Sequence, residues 1–410
     1  MRMFDALKRY GSSIGLDVVY FVENGFAIAI RQVVAAFFGL LLMIVFSRLA
    51  DKEILGQYQF ILAIVYSMAL FSLPGLNTSL LRSVARGYEG DYTRVVQLSF
   101  RSSMLSVVVL VCFGCYYFFL GNNNLGLAFV FSAFITPFFY APNTWDSFLQ
   151  GKSKFSLTSK WGSFQVAGTS LVTLVTLFLF PSSIFLILPA YLLTSSLFNI
   201  LYYFWSLRLQ ENTKTDAEVF PYGFFLTKAG ALGLIVDYFD KIILGFFNLG
   251  VLAAYSVSLS IVEFLKNFIK SVFSVTFPKL SKYEYGISSR MWGIALLGSA
   301  IFSLGLFFSS EKIVVTFFSG RYLDAAVFLK YTTFLIPFFV ANSIFGYRSL
   351  STANKKAIFY INFISPLATI IVSCLSFFFF RDVLLFVTVK LYARQILNLF
   401  FYRMCSPSSR

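Results

Sequence analysis

PYGFFLTKAGALGLIVDYFDKIILGFF, from Pro221 to Phe247, and GVLAAYSVSLSIVEFLKNFIKSVFSV, from Gly250 to Val275, follow one another with only Asn248 and Leu249 between them. Each is longer than the roughly 20 apolar residues that cross a bilayer as a helix. Together they carry Asp237, Asp240, Lys241, Glu263, Lys266 and Lys270. A charge at the centre of a membrane helix costs roughly 2.5–3.5 kcal/mol, so six facing lipid would cost on the order of 15 kcal/mol. These side chains must face protein or water.

Helical geometry says where they point. At 100° per residue, Gly230, Gly233, Asp237, Asp240 and Lys241 share one arc of about 100°, with Lys228 outside it. On the second helix Glu263, Lys266, Asn267 and Lys270 share about 120° with Ser256, Ser260 and Ser274. Each helix therefore has a polar, small-residue stripe on a greasy surface, the pattern of helices lining an aqueous cavity. The plainer alternative is ion pairing within each helix, Asp237 with Lys241 and Glu263 with Lys266, serving only to hold the packing.

Composition agrees with a polytopic membrane protein. Of 410 residues, 58% are hydrophobic and 12% charged, and the mean hydropathy is +0.78. Met1 to Phe21 is mixed and polar, so a retained first helix is expected in place of a cleaved leader. The chain has no histidine, which excludes His-based proton relays, His metal sites and catalytic His chemistry. Cys112 and Cys115 form a CxxC inside an apolar run with no second pair and read as packing residues. Phe, including Phe377 to Phe380, is interchangeable with Leu and Ile on lipid-facing surfaces.

Apolar runs separated by polar breaks predict twelve spans, at about 22–47, 57–76, 94–120, 125–149, 160–180, 184–206, 221–247, 250–275, 290–308, 326–350, 357–380 and 383–404. Glu311 to Tyr322 reads as a short helix lying at the interface. The connections alternate in charge. On one side bases are matched by acids: Arg48 and Lys52 with Asp51 and Glu53, Lys312 and Arg321 with Glu311 and Asp324, Arg381 with Asp382. The other side holds the excess, in Lys8 and Arg9, Arg82, Arg86 and Arg94, Lys152, Lys154 and Lys160, Lys279, Lys282 and Arg290, Arg348, Lys355 and Lys356, and Arg403 and Arg410. By the positive-inside rule both termini are cytoplasmic. The net charge of +15 is then largely topology, and nucleic-acid binding is not expected.

The longest polar stretch, RLQENTKTDAEV from Arg208 to Val219, reads as a cytoplasmic linker. The expected organisation is a six-helix bundle over 1–207, a linker over 208–220 and a second six-helix bundle over 221–410. A faint repeat supports it: Ile54-Leu55-Gly56-Gln57-Tyr58 resembles Val251-Leu252-Ala253-Ala254-Tyr255. The fold class is thus all-α integral membrane, about twelve transmembrane helices in two six-helix bundles around a central cavity.

No phosphate-binding Gly-Lys-Ser/Thr loop occurs, so ATP hydrolysis by this chain is not expected. Arg31 shares a face with Ala35 and Gly39, which places that face against protein. Lys330 lies early in span ten, and Lys390 and Arg394 are an i,i+4 pair in span twelve. For Lys330 and Arg394, a cavity role and snorkelling to the interface stand level. Gln165, Thr169 and Thr176 form an uncharged seam, readable as helix–helix contact or as a sugar path. Arg31, Lys228, Lys241, Lys266, Lys270 and Lys330 outnumber Asp237, Asp240 and Glu263, and a basic surplus at low dielectric favours anionic cargo.

Ser47-Arg48-Leu49 with Gly56-Gln57-Tyr58, then Leu73-Pro74-Gly75-Leu76-Asn77-Thr78-Ser79-Leu80-Leu81-Arg82 to Arg86, resemble the opening of the polysaccharide-biosynthesis and O-antigen flippases (Wzx type). These belong to the multidrug, oligosaccharidyl-lipid and polysaccharide exporter superfamily. Asp237-Tyr238-Phe239-Asp240-Lys241-Ile242-Ile243-Leu244-Gly245, Ala254-Tyr255 and Phe277-Pro278-Lys279-Leu280-Ser281 are similar to the same family's seventh and eighth helices. Asp237 and Lys241 match that pattern; the other cavity candidates rest on the helix-face argument. The resemblance implies a multi-pass protein of the bacterial inner membrane that is not an enzyme. Such a protein moves undecaprenyl-diphosphate-linked glycan between leaflets by alternating access, for O-antigen, capsule or exopolysaccharide synthesis. Its implied partners are that glycan, membrane lipid and polysaccharide polymerase machinery. It needs no cofactor, with coupling to an H+ or Na+ gradient as the energy source. The alternatives are a drug or metabolite exporter of the same fold, which an acid-dominated cavity would favour, and a polyprenyl-linked glycosyltransferase or polymerase. The latter needs a longer external loop than this chain has.

Overall fold

The computed structural model describes residues 18–280, 289–351 and 359–405. Long apolar segments in lipid have no water to satisfy their backbone, so they become helices. Eleven described helices are long and apolar enough to cross a membrane, and a twelfth span results if Gly320–Thr332 and Leu335–Ser343, bent by 47°, are taken together. The first bundle holds α1 (Val18–Leu49), α2 (Lys52–Ser67), α3 (Gly75–Ala85), α4 (Asp91–Phe119), α5 (Asn123–Tyr140), α6 (Trp145–Gly151), α7 (Phe155–Leu179) and α8 (Ile184–Leu207). The second holds α9 (Val219–Phe247), α10 (Leu249–Leu280), α11 (Ser289–Phe318), α12 (Leu323–Thr332), α13 (Leu335–Ser351), α14 (Ser365–Phe380) and α15 (Val383–Cys405).

Several boundaries differ from expectation. Span two does not stop at 76; it runs through a 3-10 turn, Met68–Ser72, to a break at Leu73, whose φ of 58° precedes Pro74, and resumes as α3. Proline at 74 removes a helical donor, which is why the break sits there. Glu311 to Tyr322 is not an interfacial helix, because α11 carries straight through to Phe318. Cys112 and Cys115 do not pack inside the protein: both lie on exposed faces of α4. The expectations for Lys8, Arg9, Lys282, Lys355, Lys356 and Arg410 fall outside the described residues, as do the side chains of Lys270, Ser274, Lys279, Arg290 and Arg348.

The two bundles meet along α1 against α10 and along α2 and α3 against α9. The end carrying the charge-matched connections is shut by a core drawn from both bundles, including Phe46, Leu55 and Phe60 from the first and Leu252, Tyr255 and Phe318 from the second. The repeat segments face each other there. A Cβ at Gly56 would overlap the Leu249 carbonyl oxygen, so α2 and α10 approach more closely than any larger residue allows. Around that core the charge-matched connections pair with one another: Lys52 bonds Asp324, Arg321 reaches Asp51 at 3.4 Å and the Arg48 carbonyl at 3.0 Å, and Arg48 donates to the carbonyls of Thr316 and Phe317.

At the opposite, basic end, residues 208–218 form a strap bound across the first bundle. Gly90 N donates to the Lys214 carbonyl at 2.8 Å, Glu211 N to Glu89 at 2.7 Å and Asp216 N to Asp91 at 2.6 Å. Lys152 binds Glu89 and Glu211 at 2.9 Å each, and the Leu209 carbonyl at 2.7 Å. The buried carboxylates of Glu89 and Asp91 are thereby satisfied by strap amides. Burial pushes the Lys152 ammonium down, but its bonds to Glu89 and Glu211 outweigh that and raise it above its ordinary 10.5. The bond to Lys152 and its charge lower Glu211 below its ordinary 4.5.

A lysine raised on folding stabilises below its unfolded pKa, and a carboxylate lowered on folding stabilises above its own. The clasp is therefore complete between those two ordinary values, weakening below as Glu211 protonates and above as Lys152 deprotonates. Trypsin cleavage at Lys214, normalised at each pH to cleavage of an unstructured peptide and followed over the part of that window where trypsin is active, should be slow and flat, and about tenfold faster in Lys152→Met, which removes one charged donor from three acceptors. Unchanged cleavage in the variant would show that the strap is held by other contacts.

Candidate functional site

Lys241 from α9 and Glu263, Ser256, Ser260 and Asn267 from α10 open on one cavity of about 190 Å³ between the bundles. Its far wall is Ala35, Ala36, Gly39 and Met43 of α1, with Gln59 of α2 donating to the Met43 sulfur at 3.2 Å. Small residues on α1 give the charged stripe room, because larger side chains would fill the gap. Asp237 is exposed one turn toward the basic end. Neither Asp237–Lys241 nor Glu263–Lys266 is an ion pair among the described residues, so intrahelical pairing does not account for the stripe. Lys266 instead places its ammonium 5.0 Å from the centre of the Phe339 ring.

Four of the nine expected site residues lie elsewhere, and a fifth is not described. Asp240 is 1% exposed; Lys390 sits 3.0 Å from its Oδ1 and Tyr255 donates its hydroxyl to the carboxylate. The predicted arc was wide enough to reach two neighbours, and Asp240, at the edge opposite Lys241, turns into the second bundle. Arg31 binds Asp146 at 2.7 Å, with its guanidinium 5.9 Å from the centre of the Trp145 ring, inside the first bundle. Lys330 pairs with Glu311 at 2.6 Å, joining α12 to α11. Lys228 is exposed near the start of α9, with no ion pair among the described residues. The side chain of Lys270 is outside the described residues.

Arg394 of α15 belongs to the interior. Its guanidinium lies against Gly233 on the α9 stripe, and its buried Nη1 has no hydrogen bond among the described residues. A tyrosine cluster that no helical periodicity singles out adjoins α9. The hydroxyls of Tyr66 and Tyr191 are 2.6 Å apart, Tyr140 donates to the Val65 carbonyl at 2.8 Å, and the Tyr66 ring is 5.5 Å from that of Tyr238, the neighbour of Asp237. These residues were hidden among 23 Tyr and 54 Phe. Asp146 was legible, being the sole charge in the span expected at 125–149. Of the span-five seam, Gln165 bonds Asn199 at 2.7 Å and joins α7 to α8, a helix–helix contact.

The cavity thus presents Lys241 and Glu263, with Asp237, Lys266 and Arg394 on the same or neighbouring helices and the tyrosines reaching α9 through Tyr238. That set can hold an anion through charge and hydroxylated groups through tyrosine.

Residues 21–284 match the profile of a family described as polysaccharide biosynthesis protein. No curated protein matches the sequence. Among solved structures, the lipid II flippase MurJ in an inward closed conformation superposes with a TM-score of 0.69 at 15% identity, over 92% of this chain and 86% of that one. An inward-facing multidrug resistance MATE family transporter of the MOP superfamily gives 0.64 at 11% identity, over 92% and 97%. A MOP superfamily transporter from Pyrococcus furiosus, with a binding pocket of reverse polarity, gives 0.58 at 13%, over 94% and 93%. At these identities the likeness is one of fold.

Proposed function

The chain belongs to the polysaccharide biosynthesis protein family, and from that premise we propose that it is a flippase for polyprenyl-diphosphate-linked oligosaccharide. It would work between the leaflets of the bacterial inner membrane by alternating access, supplying O-antigen, capsule or exopolysaccharide synthesis. The observation that carries this reading is the pair Lys241 and Glu263, facing one cavity between the bundles and free of ion pairs among the described residues. An ionisable residue within a membrane-spanning helix, facing a cavity without an ion-pair partner, marks a place for a ligand. Lys241, Lys266 and Arg394 supply the attraction for a diphosphate, and the tyrosine cluster offers hydroxyls and ring faces to sugars. The polyprenyl chain stays in lipid. On this reading the basic end is cytoplasmic with both termini, and the bundles over 1–207 and 221–410 rock about the strap. The protein makes and breaks no covalent bond and needs no cofactor. Movement is driven by an H+ or Na+ gradient, and product passes to polymerase machinery.

Proteoliposomes loaded with lipid-linked oligosaccharide test this. Lys241→Ala should slow translocation about tenfold or more, the loss of one charge-assisted contact. Lys330→Ala, whose ammonium is engaged by Glu311, should stay within about twofold. Wild-type protein that exports a cationic drug but leaves the glycolipid unmoved would favour the exporter reading shared by this fold.

A further inference from the structure

A second cavity, of about 530 Å³, opens at the charge-matched end where α2, α4, α5, α9 and α10 come together. It lies apart from the interior charges and has no part in the reading above. Its lining includes Lys52, Glu53, Tyr116, Asn122, Phe247 and Asn248. Asn122 and Asn248 each use their side-chain oxygen to cap a helix, accepting from Leu125 N at 3.1 Å and Val251 N at 3.0 Å. Each is left with an amide Nδ2 that has no hydrogen bond among the described residues. Glu53 is exposed and unpaired among the described residues, whereas Lys52 already holds Asp324. At the rim, Leu120, Phe247 and Tyr116 are 61%, 62% and 49% exposed, an apolar edge suited to acyl chains. The site lies at helix ends, the depth of the bilayer's headgroups, where tyrosine concentrates.

Charge decides between ligands. The lining carries one base and one acid, adjacent and of opposite sign, so its net charge is zero. A diphosphate brings two or more negative charges to a lysine that is already engaged. A zwitterionic headgroup brings one phosphate for the two free amides, with Lys52 adding only its nearby charge, and one ammonium for the unpaired Glu53 and the aromatic rings. The volume falls in the range of built ligand sites. From this we infer that the lateral cavity is a binding site for a zwitterionic bilayer phospholipid such as phosphatidylethanolamine. Because Lys52 also joins the bundles through Asp324, the lipid sits on the seam that must part when this end opens.

Native mass spectrometry of the full-length protein, delipidated and offered equal phosphatidylethanolamine and phosphatidylglycerol, tests this. Wild type should retain the zwitterion about fivefold over the anion, the magnitude of one exposed charge pair. Glu53→Gln should abolish the preference, and Glu53→Lys should reverse it. Equal retention by wild type, an unchanged preference in Glu53→Lys, or saturable binding of free oligosaccharide with neither lipid retained would overturn the assignment. None of these outcomes depends on what the interior cavity carries.

Discussion

Asp240→Ala should destabilise the protein by about 3–5 kcal/mol, the cost of leaving a buried charge without its partner. Lys390, 6% exposed, would keep its ammonium between α9 and α15 with no carboxylate, and the Tyr255 hydroxyl would lose its acceptor. Such a penalty exceeds what any exposed pair in this chain contributes, because solvent screens those to about 1 kcal/mol or less. Asp240→Ala with Lys390→Met should recover most of the loss, since removing both charges removes the desolvation penalty as well. Thermal unfolding of purified protein in detergent measures it, with the single variant melting several degrees below wild type and the double variant close to it. If Asp240→Ala melted with wild type, the pair would not be holding the second bundle together. Arg394→Ala distinguishes the roles further: it should spare stability more than Asp240→Ala does, yet impair translocation.

The second large effect is expected at Gly56. Any side chain there overlaps the Leu249 carbonyl, so Gly56→Leu must push α2 away from α10. The charge-matched end could then no longer shut. Its apolar core spans both bundles, and burial of each large side chain is worth about 1.5–3 kcal/mol. The surrounding ion pairs are half exposed and worth far less. Closure of this end is therefore governed by apolar packing, with charges in support. Gly56→Leu should reduce translocation more than tenfold and lengthen the distance between spin labels placed at Asn123 and Arg381. Arg321→Ala should change either quantity only slightly. If Gly56→Leu left the distance unchanged, or if Arg321→Ala opened the end, the charges and not the packing would be the lock.

Much of this was legible along the chain. The number of spans, the alternation of basic and matched connections and the cavity-facing stripe on α10 follow from hydropathy and a 3.6-residue period, which are local properties. Lys241 and Glu263 were identified from those properties and do share a cavity. The same method put Asp240 on the stripe with Lys241, because an arc of about 100° says which residues are near one another and not which neighbour each edge meets. Lys330 is ambiguous in sequence for a similar reason: its partner, Glu311, is 19 residues away on a different helix.

Hydropathy and charge along the chain were enough to show a helical membrane protein of about twelve spans, which connections carry the basic excess, and that some charges must avoid lipid. Tertiary structure alone decided which of those charges remain available. Arg31 was taken by Asp146, 115 residues away, Asp240 by Lys390, and the matched connections by each other across the bundles. The physical reason is that desolvation penalises every buried charge alike and is read from composition, whereas its relief requires one specific partner within about 4 Å. That partner is brought there by the packing of helices far apart in the chain.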